Sequence, residues 1–411
     1  MTSYQKLTKK SKFEKNWRRN RNAAAGYFYW VYSRLIKTNP KMIVFDSSEG
    51  KNYTGSPRAI YEYMVENHLT DEYECIWIFK EGREPESLPG NPKVVHKGSF
   101  EHMKIMSRAG VWIFDSRNPK LFSKKQNQHY IQTWHGTTLK KLALDIETVN
   151  GPSENSLARF RKAWKENVSS WDYLIVQNEY SVETFSRCFS FQKTFLRIGY
   201  PRNDILFKKN NSADILSLKK GLGIPLDKKI ILYAPTYRDD HFDENGHRYF
   251  QIGLDLKKFK GLLGDDYRLI IKSHYNEKNK LDYSELGDFI IPKSSEDEIS
   301  VLYLVSDMLI TDYSSVMFDF SLLHKPMFFF CYDIDNYENN LRGFCFDFYS
   351  EAPGPISTTT EELAKDILTD EDELTRRYNE KRDAWYKKYH TYENGTACEN
   401  IVKLIMSFGK E

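Results

Sequence analysis

Met308-Leu309-Ile310-Thr311-Asp312-Tyr313-Ser314-Ser315-Val316-Met317-Phe318-Asp319-Phe320 passes from an apolar run through a polar turn into a second apolar stretch. A short, unbroken apolar run bounded by polar residues is the pattern of a strand buried on both faces. The second stretch has helical spacing. The alternation repeats outward. On the N-terminal side, strands are expected over 42–46, 74–79, 93–96, 111–114, 129–133, 173–176 and 194–198, with helices over 57–67, 100–108 and 181–189. A polar stretch at 208–212, Lys-Lys-Asn-Asn-Ser, interrupts the series. Strands then resume over 229–233, 267–272, 288–291, 308–310 and 326–331, with helices over 298–305 and 316–323 and a helical tail from 361. Repeated β–α–β alternation with apolar strands predicts α/β domains whose parallel sheets are covered on both faces. The expected divisions are a basic arm over 1–41, Rossmann-like doubly wound domains over 42–207 and 213–370, and C-terminal helices over 371–411.

At 411 residues, 40% hydrophobic and 15% aromatic, the chain has the material for two sizeable cores. The cysteines at 75, 188, 331, 345 and 398 form no Cys-x-x-Cys pair, which argues against a zinc knuckle and fits a reducing compartment. No run of 18 apolar residues is present, and the first apolar run, 23–36, is broken by Ser33 and Arg34 and lacks a cleavage site after it. Neither a membrane-spanning helix nor a secretory signal is expected. No P-loop and no Gly-x-Gly-x-x-Gly appears, so neither ATP hydrolysis nor dinucleotide binding is indicated.

Charge is unevenly distributed. The formal net charge is +3, yet residues 1–41 hold eleven Lys or Arg and one acid, Glu14. The arm is therefore about +10 and the remainder about −7. Trp17, Tyr27, Phe28, Tyr29, Trp30 and Tyr32 interleave with those cations, and a patch at 159–165 repeats the mixture. Cations with interfacial rings suit an anionic bilayer. The competing readings are a solvated arm packed on the first domain, or a nucleic-acid contact; the membrane is preferred and no nucleic-acid partner is expected.

Polar signatures stand just beyond the carboxyl ends of the expected strands, where doubly wound sheets bind ligands. In Ile131-Gln132-Thr133-Trp134-His135-Gly136-Thr137-Thr138, His135 is suited to take a proton from a hydroxyl, and Gly136 lets backbone approach a ligand closely. The alternative is a structural histidine at a strand end. Thr236 and Arg238 follow the strand at 229–233, and Lys272-Ser273-His274 follows 267–272; cation, hydroxyl and imidazole together suit a phosphoryl oxygen or a leaving group. Arg202, near the expected hinge, is suited either to clamp phosphate or to form an ion pair with Asp204 or another acid. Ser314 and Ser315 either donate to a phosphate at a helix start or simply cap that helix. Asp319 either accepts a ribose or polyol hydroxyl or is solvated. Asp333-Ile334-Asp335 and the cluster His241, Asp243, Glu244 and His247 fit no metal signature well, so no metal and no cofactor is expected.

Taken together, Trp134-His135-Gly136-Thr137, Tyr200-Pro201-Arg202-Asn203-Asp204, Ala234-Pro235-Thr236-Tyr237-Arg238, Lys272-Ser273-His274 and Thr311 to Phe320 resemble the signature set of the CDP-glycerol glycerophosphotransferases, the wall teichoic acid primases and polymerases of Gram-positive bacteria. The resemblance spans about 42–400. It implies a GT-B-like fold of two Rossmann-like domains facing a cleft, with the donor held mainly by the second. It implies transfer of glycerol phosphate from CDP-glycerol to the terminal hydroxyl of an undecaprenyl-linked acceptor, with release of CMP, at the cytoplasmic face of the membrane by a peripheral protein. His135 corresponds to the family's proposed base and His274 to its second essential histidine. Gly136, Thr137, Arg202, Thr236, Arg238, Lys272, Ser273, Ser314, Ser315 and Asp319 correspond to donor-contacting positions. Ribitol-phosphate transfer is used by relatives with nearly the same motifs. A GT-B glycosyltransferase acting on a nucleotide sugar and a non-catalytic membrane module are the alternatives from other classes. Family polymerases often carry a large extra N-terminal domain, where this chain has the short arm, so a primase, a compact polymerase and an excised catalytic part all remain open.

Overall fold

A computed structural model of the chain describes residues 23–118, 121–147, 156–236, 252–272, 283–293, 297–334 and 343–408. Thirteen strands form two sheets among the described residues. The first holds β1 (Asn39–Asp46), β2 (Glu74–Phe79), β3 (Lys93–His96), β4 (Ala109–Phe114), β5 (His129–Gln132), β6 (Tyr173–Val176) and β7 (Thr194–Arg197), in the order β3-β2-β1-β4-β5-β6-β7. The second holds β8 (Lys229–Tyr233), β9 (Tyr267–Ile271), β10 (Ile290–Ile291), β11 (Met308–Thr311), β12 (Met327–Phe330) and β13 (Ile356–Ser357), in the order β10-β9-β8-β11-β12-β13. The pairings from β1 to β6 and throughout the second sheet are parallel. Both orders are doubly wound, and each reverses direction once: between β1 and β4, and between β8 and β11. Those reversals open the crevices in which such folds bind ligands.

Grouped by compactness, the chain forms two units. One takes the chain up to His135, residues 165–174 and the end from Glu399; the other takes Gly136–Trp164 and Ile175–Cys398. In the first unit every residue of β4 is buried, and Trp77 stacks on Phe45 and Phe79 at 5.3 and 5.7 Å. In the second unit the strands feed two cores at once. Ile230, Leu232, Ile270, Leu309 and Phe329 point to one, and Ile231, Tyr233, Leu269, Ile271, Ile310 and Phe328 to the other. Alternate side chains of a strand face opposite sides, so a sheet covered on both faces needs the unbroken apolar runs seen in the sequence. Each buried large side chain is worth roughly 1.5–3 kcal/mol relative to exposure.

The helix over 23–35 turns Tyr29 and Ser33 inward and leaves Tyr27, Phe28, Trp30 and Leu35 exposed. No helix among the described residues is long and apolar enough to cross a membrane. The helical tail is helix Thr360–Ile367, helix Glu371–Tyr389 and helix Ala397–Ser407. The middle one sends Trp385 and Tyr389 against Phe318 at ring distances of 5.0 and 4.9 Å.

Several boundaries differ from the sequence reading for visible reasons. Residues 288–289 belong to the 3-10 turn Ser284–Phe289, bent at Gly287 with φ 56°, which leaves β10 two residues long. The helix expected over 316–323 is regular only over Val316–Phe320; it tightens into a 3-10 turn and stops at His324, which adopts left-handed φ 56°. The polar stretch at 208–212 lies between two abutting helices, Asp204–Lys208 and Ser212–Gly221, the second capped by the Asn211 side chain. Helices Ser156–Val168 and Leu256–Leu263 have no counterpart in the sequence reading either.

Gly110 marks the tightest backbone approach in the first sheet. A Cβ there would lie 2.6 Å from Pro40 Cα and 2.8 Å from the Asn39 carbonyl oxygen, both backbone atoms of β1. Gly110→Ala should therefore lower unfolding stability by about 1–3 kcal/mol through overpacking, read as a reduced urea midpoint with an unchanged slope.

Candidate functional site

In the first unit the crevice between β1 and β4 is closed by a carboxylate. Asp115, one residue past β4, accepts the Ser48 backbone N–H at 2.8 Å and the Ser116 hydroxyl at 2.6 Å. Beside it, buried Asp46 pairs with Lys97 at 2.6 Å; burial pushes its carboxyl up to about 6 against the opposing pull of the Lys97 charge. The Asp115 carbonyl oxygen lies 3.1 Å from His135 Nδ1. A carbonyl only accepts, so Nδ1 carries the proton in this contact, and in a neutral ring Nε2 is then the basic nitrogen. Trp134 adopts left-handed φ 51°, its N–H held by the Gln132 side-chain oxygen at 2.9 Å, and its indole stacks on the imidazole at 4.2 Å. His135 is the exposed residue within an otherwise buried run from Ile131 to Leu139.

The second unit closes its own crevice in the same way. Asp312, one residue past β11, accepts the Thr236 backbone N–H at 2.8 Å from the loop after β8. The Lys140 ammonium lies within 3.5 Å of the Thr236 hydroxyl. Lys272, at the end of β9, donates to the Asp297 carbonyl at 2.6 Å, and burial lowers its pKa. Helix Val316–Phe320 has no side-chain cap, so the Ser315 hydroxyl is not spent on one; the Ser314 hydroxyl is 3.5 Å from the Val316 N–H. Tyr313 donates to Asp333 at 3.1 Å.

Gly136, Ser315 and Arg202 converge. A Cβ on Gly136 would fall 2.9 Å from Ser315 Oγ and 3.5 Å from an Arg202 guanidinium nitrogen, and its φ of 146° also disfavours a side chain. Arg202 is paired with Asp319 at 2.5 Å, not with Asp204. Asp204 instead accepts the Ala397 and Cys398 N–H groups at 2.9 and 2.8 Å, which starts the last helix. Burial opposes the charge of Arg202, but Asp319 and the neighbouring tyrosines outweigh it and raise its pKa further. Arg202 Nε is buried with no hydrogen-bond partner among the described residues.

Asp319 is 2% exposed, so it is not the solvated helix residue of the alternative reading. Its Oδ1 accepts from Gln177 at 3.2 Å and Asn203 at 3.0 Å, and its Oδ2 from Arg202. Thr137, also fully buried, donates to Gln177 at 2.8 Å and accepts from Asn178 at 3.0 Å. Asn203 reaches on to Glu393 at 2.9 Å. Burial pushes the Glu393 carboxyl up to about 8; hydrogen bonds from the Tyr200 N–H and Asn203 oppose this, and the charges of Asp319 and Asp204 add to it. Sequence reasoning missed Gln177, Asn178, Asn203, Glu393 and Lys140. Amides and a tail glutamate carry no local motif, although Asn203 lies inside the motif that supplies Arg202. Ser273, His274, Arg238, Asp335 and the cluster at 241–247 lie outside the described residues. Among the described residues no group of His, Cys, Asp and Glu has the arrangement of a metal site.

The family model described as CDP-Glycerol:Poly(glycerophosphate) glycerophosphotransferase matches residues 28–407. The teichoic acid poly(glycerol phosphate) polymerase of Staphylococcus epidermidis is 42% identical over 385 residues, which cover 93% of this chain and 53% of that protein. The teichoic acid glycerol-phosphate transferase of Staphylococcus aureus is 39% identical over 380 residues, covering 92% and 96%. A solved structure of the wall teichoic acid polymerase TagF, a histidine-to-asparagine variant soaked with CDPG, is 40% identical and superposes with a TM-score of 0.86, covering 99% of this chain and 98% of that one. The fold is thus the GT-B-like α/β fold of that polymerase. The chain spans about half the length of the first curated relatives it matches.

The buried network has two measurable consequences. Asp319→Ala leaves the Arg202 charge buried without its partner and should cost about 3–5 kcal/mol of unfolding stability, measurable in urea. Glu393 is held neutral in the fold with a pKa of about 8, above the ordinary 4.5. Its contribution to stability is complete below the unfolded value and is lost as pH rises through about 8, because the folded state then binds the extra proton. Thermal midpoints should accordingly fall more steeply between pH 5 and 9 for the parent than for Glu393→Gln, which does not titrate.

Proposed function

Because the chain belongs to the CDP-glycerol:poly(glycerophosphate) glycerophosphotransferase family, we propose that it transfers glycerol phosphate from CDP-glycerol to the terminal hydroxyl of a lipid-linked teichoic acid acceptor, releasing CMP. The observation that carries this reading is the convergence of Gly136, Ser315 and Arg202, which sets a hydroxyl and a buried guanidinium close to a backbone whose glycine alone permits the approach. A hydroxyl and a guanidinium so grouped suit the oxygens of a diphosphate. Residues 42–207 act as the acceptor domain and 213–370 as the donor domain.

His135, one peptide bond from Gly136, is the general base. Its Nδ1–H is committed to the Asp115 carbonyl, so Nε2 takes the proton of the acceptor hydroxyl. The acceptor oxygen forms a new bond to the phosphorus that bears glycerol. The bond from that phosphorus to the bridging oxygen breaks, and CMP departs with its electron pair. Arg202, Ser314, Ser315, Thr236 and Lys272, with Arg238, Ser273 and His274, hold the donor phosphates and balance the charge that builds on the leaving oxygen. Gly136 lets Ser315 stand close to the backbone beside His135. Thr137 and Asp319 act from beneath, through Gln177 and Arg202.

The arm binds the anionic cytoplasmic face of the membrane, where the acceptor's lipid resides. Support comes from the exposed rings of Tyr27, Phe28 and Trp30 on a helix that continues a strongly basic segment, with the Arg34 guanidinium 3.8 Å above the Trp30 ring.

Incubation with CDP-glycerol, CDP-ribitol or a UDP-sugar, each with a lipid-linked acceptor, tests the reaction. CMP release with CDP-glycerol is expected; release with CDP-ribitol alone reassigns the donor, and UDP release overturns the reading. His135→Ala should lower turnover about a hundred- to ten-thousand-fold with donor affinity retained. Phe28→Ser with Leu35→Ser should reduce co-sedimentation with vesicles rich in anionic lipid, and unchanged sedimentation would remove the arm from the membrane contact.

A further inference from the structure

Glu393 is a buried acid that the transfer chemistry leaves without a task. It lies in the turn between helix Glu371–Tyr389 and helix Ala397–Ser407. Its Oε1 accepts the Tyr200 backbone N–H at 3.0 Å and the Asn203 side-chain amide at 2.9 Å. Tyr200 and Asn203 flank Pro201 and Arg202, so one carboxyl oxygen grips the turn that carries the guanidinium from both ends. The fit is close. Gly199 has φ 79°, and a Cβ there would stand 2.6 Å from Glu393 Oε2. The stretch carrying Glu393 is itself tied down. The Tyr392 N–H donates to the Gln177 carbonyl at 3.2 Å, and Asn178 donates to the Tyr389 carbonyl at 2.9 Å.

The connections run on to the guanidinium. Asn203 gives its amide to both Glu393 and Asp319, and Gln177 gives its own to the same Asp319 oxygen, which leaves Oδ2 for Arg202. The side-chain exposure of Arg202 is only 10%, and its Nε is buried without a partner among the described residues. A buried donor without an acceptor is costly, and the guanidinium carries further N–H donors suited to an anion. Its direction then matters, and direction is what the Glu393 grip controls.

We propose that Glu393 is the positioning residue for Arg202, holding the Tyr200–Asn203 turn so that the guanidinium, braced by Asp319, meets the anionic phosphates of the donor. The proposal rests on the reading that Arg202 contacts those phosphates. It assigns a task in the transferase site to the C-terminal tail, about 190 residues from the turn it controls. Glu393 touches neither donor nor acceptor. A misplacement of about 1 Å at a positioned group costs on the order of a hundredfold in rate.

The test is a double-mutant cycle on the full chain, reading CMP release from CDP-glycerol and the affinity for CDP-glycerol by calorimetry. Glu393→Ala should lower kcat/KM by about tenfold or more in the parent and by less than about twofold when Arg202 is already alanine, since residues acting through one contact do not add. Glu393→Gln, which keeps an acceptor at the Oε1 position, should recover most of the loss. A purely structural glutamate would instead give effects that add across the cycle. Additivity, or parent-like kcat/KM and affinity in Glu393→Ala, would overturn the proposal. If Glu393→Ala fails to fold by its thermal midpoint, Glu393→Asp, whose carboxyl falls one methylene short of Tyr200 and Asn203, takes its place in the cycle: non-additivity with Arg202→Ala supports the proposal and additivity overturns it. Failure of the underlying reading looks different: Arg202→Ala would then bind and turn over CDP-glycerol like the parent.

Discussion

The Asp319 carboxylate holds the second unit's site together. It accepts from Gln177, Arg202 and Asn203, which reach it from two separate stretches of chain, and it does so from the short helix that follows Ser314 and Ser315. A buried ion pair is a poor source of net stability, because desolvating both charges offsets most of their attraction. Its value here is directional. The guanidinium nitrogen that donates to Asp319 is also the one close to Gly136, while Gln177 and Asn203 both donate to the other carboxylate oxygen.

The two crevices share a second constraint. In each doubly wound sheet an aspartate one residue past the strand that follows the reversal accepts a backbone N–H from the loop after the first strand: Asp115 with Ser48, and Asp312 with Thr236. A charged acceptor on a backbone N–H is stronger than a neutral one, and it fixes the loop that a ligand must meet. In the first unit the same residue also orients His135 through its carbonyl, so one aspartate sets both the loop and the tautomer. In the second unit the cation Lys140 approaches the held threonine.

Most of the strand positions were legible because the physics involved is local. A strand buried on both faces has to be apolar, and 75–79, 174–176 and 230–233 are apolar and buried at every position, whereas the edge strand at 93–96, Lys-Val-Val-His, buries only Val95. Helices with weak apolar stripes, such as Ser212–Gly221 with no buried residue, gave no such signal. The polar motifs do follow β5, β8, β9 and β11, and parallel sheets bring the carboxyl ends of their strands to one edge.

The sequence by itself determined the fold class, the doubly wound sheets and the family, since each is written in periodicity or in contiguous motifs. Only the tertiary structure decided which acid Arg202 pairs with, that Asp319 and Thr137 are buried hubs, that Nδ1 of His135 donates its proton, and that Glu393 belongs to the site at all. Hydrogen bonds between residues 116 to 190 positions apart leave no mark in any local window. A carboxylate reads the same in sequence whether it ends in water or accepts three donors. Burial separates those cases, and burial is a property of the packed chain.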